Sequence, residues 1–468
     1  MAISGCLAHH RDARLAVSAP YGTIPAVVTL PKLRVWDEAG HPCRGRYLVT
    51  ERGEPFFYLG DTAWELFHRL TREEADLYLK DRAAKGFTVI QAVALAELDG
   101  LNTPNAYGDM PLHRNDPTQP NEAYFQHVDW IIDRANALGL YIGLLPTWGD
   151  KVNQKWGVGP EIFTPDNARV YGEFLGRRYR DKGIVWILGG DRPIEREAHL
   201  SVWRAMAAGL RAGDDGAHLM TYHPVGGQSS AERLHAEPWL DFNMLQSGHA
   251  RRAEANYAML ERDYRRTPVK PCMDGEPCYE DHPIGFDPRN GWFDAADVRR
   301  AAYWALLSGA HGHTYGCHNI WQMYAPEKHT PVSHARRSWQ ESLNLPGAGQ
   351  VRYAKRLMLR RDPLLRAPDQ SLLASDAGTG SEHIRAARAA DGSYAYLYLP
   401  TLRPVRVRMD KLAGRTMQAH WYDPRTGAWT PIGEFRATGE REFIPPASNT
   451  QDWVLVNTQD WVLVLESV

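Results

Sequence analysis

Two carboxylates in this chain sit where the pattern changes abruptly from apolar to polar. Asp191 closes the run Gly183-Ile-Val-Trp-Ile-Leu-Gly-Gly-Asp191, and Glu276 lies in Asp274-Gly-Glu-Pro277, just past the apolar segment Pro268-Val-Lys-Pro-Cys-Met273. A buried strand that stops at glycines and an acid delivers that acid to the strand's C-terminal end. Alone, either residue would pass for a loop or cap residue. Together they make the pair that retaining glycoside hydrolysis needs. One carboxyl, protonated, releases the leaving oxygen, while the other, ionised, attacks the anomeric carbon from about 5 to 5.5 Å away. Asp191 is assigned as general acid/base and Glu276 as nucleophile. The reverse assignment stays open, because composition does not say which acid is less solvated.

Other groups at strand ends compete or assist. Asp61 is expected to bind sugar hydroxyls, and Trp64 and Trp148 to act as stacking platforms. Gln91, His223, Gln246 and Tyr315 are candidate hydroxyl readers, each with a second reading as packing of the mouth. Asp150 ends a strand too, and Asp274 and Glu280 read as structural hydrogen-bond partners of their loop. His311, His313 and His318 match no zinc spacing and are expected to make hydrogen bonds at the barrel end. No metal and no cofactor is expected.

The elements that must position these groups read as alternating strands and helices. The strands are expected at Pro55–Gly60, Thr88–Val93, Leu140–Leu145, Gly183–Leu188, His218–Tyr222, Asp241–Gln246, Pro268–Met273 and Gly312–Gly316. A short pair, Val35–Asp37 with Arg46–Thr50, precedes them. Between the strands, Thr71 and Glu74 have the spacing of a capping box, and Asn121 caps a helix whose apolar face runs through Phe125, Val128, Ile131, Ile132 and Ala135. A strand and helix alternation of this length predicts an α/β fold, a (β/α)8 TIM barrel, whose chemistry sits at the C-terminal mouth. An open doubly wound sheet is the runner-up, although no Gly-rich dinucleotide fingerprint follows the first strand. From about residue 370 short alternating strands predict a small all-β sandwich. The expected division is an arm over 1–30, the barrel over 31–368 and the sandwich over 369–468. The octapeptide Asn-Thr-Gln-Asp-Trp-Val-Leu-Val occurs at 449–456 and again at 457–464, and either copy could form the last strand.

Composition limits the partners. A formal net charge of −2 over 468 residues argues against nucleic acid and anionic membranes, whereas 16 Trp and 21 Tyr suit sugar stacking. The expected partner is an oligosaccharide or glycoside; oligomeric state is left open. Five cysteines without ribbon or tight disulfide spacing read as reduced thiols, with a Cys272–Cys278 bridge the lesser alternative. The first thirty residues lack an apolar secretion core, which predicts a cytoplasmic protein, or a secreted or periplasmic one had a leader been removed upstream.

Phe57-Tyr-Leu-Gly-Asp-Thr-Ala-Trp64, Val185-Trp-Ile-Leu-Gly-Gly-Asp191, Asp274-Gly-Glu-Pro277 and Trp421-Tyr-Asp-Pro-Arg-Thr-Gly427 together resemble the apiosidase-like glycoside hydrolases, family 140. The resemblance covers nearly the whole chain beyond its first thirty or so residues. It implies a barrel followed by a sandwich of the collagen-binding type, and cleavage of a β-linked apiofuranose as in the pectin side chains of rhamnogalacturonan II. Asp191 and Glu276 match that family's catalytic pair. The wider clan uses Asn-Glu where this chain has Gly190-Asp191. An arabinofuranosidase is a neighbouring reading within the enzyme class, and a barrel that binds carbohydrate without turnover is the alternative outside it.

Overall fold

The computed structural model describes residues 29–446 and 459–468. The expected arm and the first copy of the octapeptide lie almost wholly outside the described residues.

Three short strands, β1 (Leu33–Val35), β2 (Leu48–Thr50) and β3 (Pro55–Phe56), form an antiparallel sheet ahead of the barrel. The barrel strands follow as β4 (Tyr58–Thr62), β5 (Val89–Val93), β6 (Tyr141–Leu145), β7 (Ile184–Gly189) and β8 (Met220–His223). The small β9 (Gln228–Ser229) comes next, then β10 (Asn243–Gln246), β11 (Cys272–Asp274) and β12 (Gly312–Tyr315). Their order is β8-β7-β6-β5-β4-β12-β11-β10-β9, with every neighbouring pair parallel except β9 with β10. The two ends meet where Asp241 N donates to Met220 O at 2.8 Å and Thr221 Oγ1 to Phe242 O at 2.7 Å. That contact makes a nearly closed barrel and excludes the open doubly wound sheet.

Helices between the strands begin where local chemistry directs. Thr71 and Glu74 cap helix Arg72–Ala84 reciprocally, Asn121 Oδ1 caps Glu122–Ala137, and Asp294 caps Ala295–Leu307. Side chains on each strand alternate between two cores. Tyr58, Val89, Val185, Ile187 and Met244 fill the barrel, while Leu59, Ile90, Ile142, Trp186 and Leu188 pack outward against the helices.

The C-terminal domain is antiparallel. β13 (Arg366–Pro368), β14 (Arg385–Ala389), β15 (Tyr394–Leu399), β17 (Thr416–Tyr422), β18 (Trp429–Arg436) and β20 (Trp461–Ser467) form a six-stranded sheet in the order 13-14-15-20-17-18. β16 (Val405–Arg408) and β19 (Glu440–Phe443) form a two-stranded ribbon over one face, with Leu397, Val405, Val407, Ala419, Phe443 and Leu465 in the shared core. The sheet begins at Arg366, slightly before the expected boundary. Its second face carries Tyr394, Tyr396, Tyr398, Tyr422 and Val464 onto the barrel, where Tyr303 and Tyr398 stack at 4.9 Å.

Candidate active site

The turn after β7 places Asp191. Gly189 has φ +87° and Gly190 φ +124°, and a Cβ on Gly189 would lie 2.4 Å from His223 O, one on Gly190 2.7 Å from Gly149 N. Only glycines let the chain turn here against both neighbouring strand ends. Asp191 itself sits at φ +54°, a left-handed position that Asp tolerates better than most side chains. Glu276 comes from the loop after β11. Gln91 Nε2 donates to Gly275 O at 3.1 Å, fixing the peptide just before it.

Both acids line one cleft of about 760 Å³ at the C-terminal mouth of the barrel. His223 Nε2 lies 2.8 Å from Glu276 Oε2, and His249 Nε2 lies 3.0 Å from Oε1. His223 Nδ1 accepts the Asp191 backbone N–H at 3.4 Å, so the ring's proton is on Nε2, facing Glu276. Although the His223 contact is close, its angle leaves Glu276 Oε2 without an aligned hydrogen bond among the described residues. That oxygen keeps a lone pair uncommitted.

Asp191 meets the opposite treatment. Its carboxyl is largely enclosed, and Arg192 Nη1 reaches its Oδ2 at 2.9 Å. Burial raises its pKa first and the charge of Glu276 second; Arg192, His223 and the Gln246 amide oppose this without reversing it. For Glu276, burial also pushes upward, but the two imidazoles outweigh it and hold the carboxyl below the usual range. The cleft therefore contains two carboxyls displaced in opposite directions, Asp191 upward and Glu276 downward.

Trp64, Trp148 and Gln246 line the cleft, the two indoles only 2 % exposed and 5.1 Å apart at its floor. Both pack on His223, at 5.4 and 5.7 Å. His223 itself is fully buried beneath them, against Glu276 rather than in the cleft wall where a hydroxyl reader was expected. Three other expectations need correcting. Asp61 accepts from Tyr78 OH at 2.6 Å and Arg82 Nε at 2.5 Å in the layer between strand and helix. Tyr315, its register partner across β4 and β12, donates to Glu280 Oε2 at 2.6 Å on that same outer face. Gln91 lies inside the barrel and accepts from Tyr58 OH at 3.1 Å. A strand-end position brings a side chain to the mouth only when its pleat also faces inward.

Asp150 is buried against Lys151 at 2.8 Å. Asp274 accepts from Ser247 Oγ at 2.7 Å and Asn256 Nδ2 at 3.0 Å; burial pushes its pKa up to about 6. His318 bonds the Val332 and Ser333 carbonyls, but the ring nitrogens of His311 and His313 have no hydrogen-bond partner among the described residues, contrary to the barrel-end bonds expected of them. Their rings are packed as barrel filling instead, His311 edge-on to Phe242 at 5.1 Å. The four described cysteines, Cys43, Cys272, Cys278 and Cys317, are free. No helix among the described residues is long and apolar enough to cross a membrane.

The structure adds residues that sequence reasoning passed over. Arg192 bridges Asp191 to Glu97, whose Oε1 lies 3.2 Å from Nη2, and Trp156 covers the guanidinium at 4.6 Å. Burial, assisted by Asp191, pushes Glu97 up to about 8 against the pull of Arg192. His249, Tyr279 and His282 close the Glu276 side, with His249 stacked on His282 at 4.4 Å. Arg192 adjoins Asp191 in sequence and could have been found. Glu97 sits 94 residues away, at 191 − 97, with no spacing to mark it.

Comparison with known proteins fits this geometry. A structure described as a glycoside hydrolase is 35% identical over 93% of this chain and 97% of its own, with a TM-score of 0.84. A glycoside hydrolase family 5 structure from Bacteroides vulgatus ATCC 8482 is 34% identical, covers 93% of each chain and has the same TM-score of 0.84. A search of curated proteins found no match. The fold and the acid-lined mouth thus define a glycoside hydrolase. Residues 43–364 match the family described as "Apiosidase-like, catalytic domain", and the chain belongs to that family. Residues 367–466 match the family described as "Putative collagen-binding domain of a collagenase".

Proposed function

We propose that this protein hydrolyses a furanosidic bond with retention of configuration, its substrate a β-apiofuranoside of pectic side chains such as rhamnogalacturonan II, or of a plant glycoside. The observation that carries the reading is the opposite displacement of two carboxyls lining one cleft. Glu276, held ionised by His223 and His249, attacks the anomeric carbon. Asp191, held protonated by burial and by the charge of Glu276, gives its proton to the leaving oxygen and then takes one from the water that opens the glycosyl-enzyme. Trp64 and Trp148 shape the floor on which the sugar rests, and the reaction as written needs no cofactor. We place its action in the cytoplasm, on small imported oligosaccharides or glycosides.

A panel of defined aryl and oligosaccharide furanosides, with the product anomer followed by NMR, tests this. Release of apiose with the β configuration is the expected result. Turnover of arabinofuranosides alone would redirect the substrate, inversion would remove Glu276 as nucleophile, and binding without release, unchanged in Glu276→Ala, would leave a carbohydrate-binding module.

A further inference from the structure

A second cavity of about 560 Å³ opens on the same face of the barrel, outside the catalytic cleft. Its walls come from helix Leu66–Arg69 and the adjoining Thr71 and Glu74 after β4, from residues 98–106 after β5, and from residues 328–330 after β12. It shares no lining residue with the cleft but borders it twice in the chain. Glu97 lines the cleft and Leu98 the cavity; Thr330 lines the cavity and Val332 the cleft.

Its polar lining is unbalanced toward donors. Asn105 is only 4% exposed, and its Oδ1 accepts from the Tyr107 and Asp109 N–H groups, each at 3.0 Å. Those two bonds fix the amide orientation, so Nδ2 is the free end, and it has no partner among the described residues. His329 Nδ1 accepts the Ala325 N–H at 3.2 Å, which leaves its Nε2–H to donate. Arg69 uses one nitrogen on Gln322 O at 2.7 Å, and Lys328 Nζ meets Glu74 Oε1 at 3.4 Å. The other Glu74 oxygen is taken by the Thr71 N–H at 2.9 Å. The one acid in the lining, Glu74, is thus engaged, whereas Asn105 and His329 still have protons to give. A buried donor left unpaired is costly, and a ligand oxygen would relieve that cost.

We propose that this cavity is an accessory glycan subsite that holds a further sugar unit of the substrate through its oxygen acceptors, with the Asn105 amide as the principal donor. It rests on the reading above that the cleft cleaves a glycoside, and extends the recognised substrate beyond the bond that is cut. Hydroxyl and carboxylate oxygens would both satisfy the donors, so the test separates a neutral from an acidic ring.

Saturation-transfer NMR on the full chain, with methyl galactopyranoside and with methyl galactopyranosiduronate, reads the cavity without requiring turnover. Two variants identify the location. Asn105→Asp keeps the acceptor for the Tyr107 and Asp109 N–H groups while replacing the free donor by an acceptor. Ala106→Trp fills the cavity from an exposed lining position. At least one of the two sugars should bind the parent protein, with affinity falling roughly tenfold or more in Asn105→Asp and the signal lost in Ala106→Trp, both variants unfolding at the parent temperature. A preference for the uronate would assign the acceptor as carboxylate, and equal binding would assign it as hydroxyl. Binding of neither sugar, or equal binding by parent and both variants, overturns the proposal. Loss of furanosidase activity in the parent would overturn the catalytic reading alone, since sugar binding is measured separately.

Discussion

Acids are treated oppositely at two places in this molecule, the barrel mouth and the junction where the C-terminal sheet meets the barrel. At the junction the acids Asp460 and Glu466 are each answered by arginine. Asp460 receives Arg299 through two nitrogens, at 2.8 and 3.1 Å, and Tyr398 OH at 3.0 Å. Glu466 is held by Arg360 at 2.9 Å on each oxygen and by Arg361 at 3.0 Å. At the mouth Arg192 is divided between Asp191 and Glu97, and Glu276 has imidazoles in place of guanidinium. Saturated acids fix the docking of two domains; unsaturated ones keep protons and lone pairs available for chemistry.

The comparison is broken most severely at Glu276. Glu276→Gln keeps the shape but removes the attacking oxygen, and kcat on an aryl furanoside should fall on the order of 10⁴-fold with the melting temperature nearly unchanged. Asp191→Asn should cost roughly 10²–10⁴-fold on a sugar leaving group. A nitrophenyl leaving group, which departs without a proton, should be affected far less in its release. Equal losses on the two substrates would return the acid role to Glu276.

At the interface the outcome should reverse. Arg299→Ala strands Asp460 as a buried charge and should destabilise the protein by about 3–5 kcal/mol, read from a guanidinium titration, while kcat/KM per folded molecule is retained.

The smallest effect concerns the pH profile. On the proposed mechanism activity requires Glu276 ionised and Asp191 protonated, so the acid limb should belong to the lowered group and the alkaline limb to the raised one. Glu97 is neutral at pH 6 and ionises as pH rises through about 8, adding a negative charge that resists ionisation of Asp191. Glu97→Gln should therefore match the parent at pH 6 and lose activity earlier as pH rises, with the acid limb unmoved. An unchanged alkaline limb would disconnect Glu97 from the acid.

Much of the scaffold was legible from local pattern. The capping box at Thr71 and Glu74 and the cap at Asn121 act through neighbours three residues away or fewer, so the information lies within one turn. Asp191 was legible only with Glu276, since two acids at the ends of two strands of one barrel make a pair where either alone reads as a loop residue. Asp61 and Tyr315 misled because proximity to a strand end was read without the pleat. Leu59, two residues before Asp61, packs outward and was the available signal. The repeated octapeptide was ambiguous over its own length, and the residues next to each copy distinguish the two. The second copy continues into Leu465 and Glu466, a core residue and the partner of two arginines, whereas the first continues into Asn457 and Thr458.

By itself the sequence determined the alternation of strands and helices, the helix ends and the two acids delivered to one mouth, because periodicity, caps and glycine turns are local. Only the tertiary structure decided in which direction each carboxyl is displaced. That depends on His223 at the end of β8 and on His249, Arg192 and Glu97 after three other strands, and electrostatic interaction in a buried cleft follows distance through space rather than along the chain.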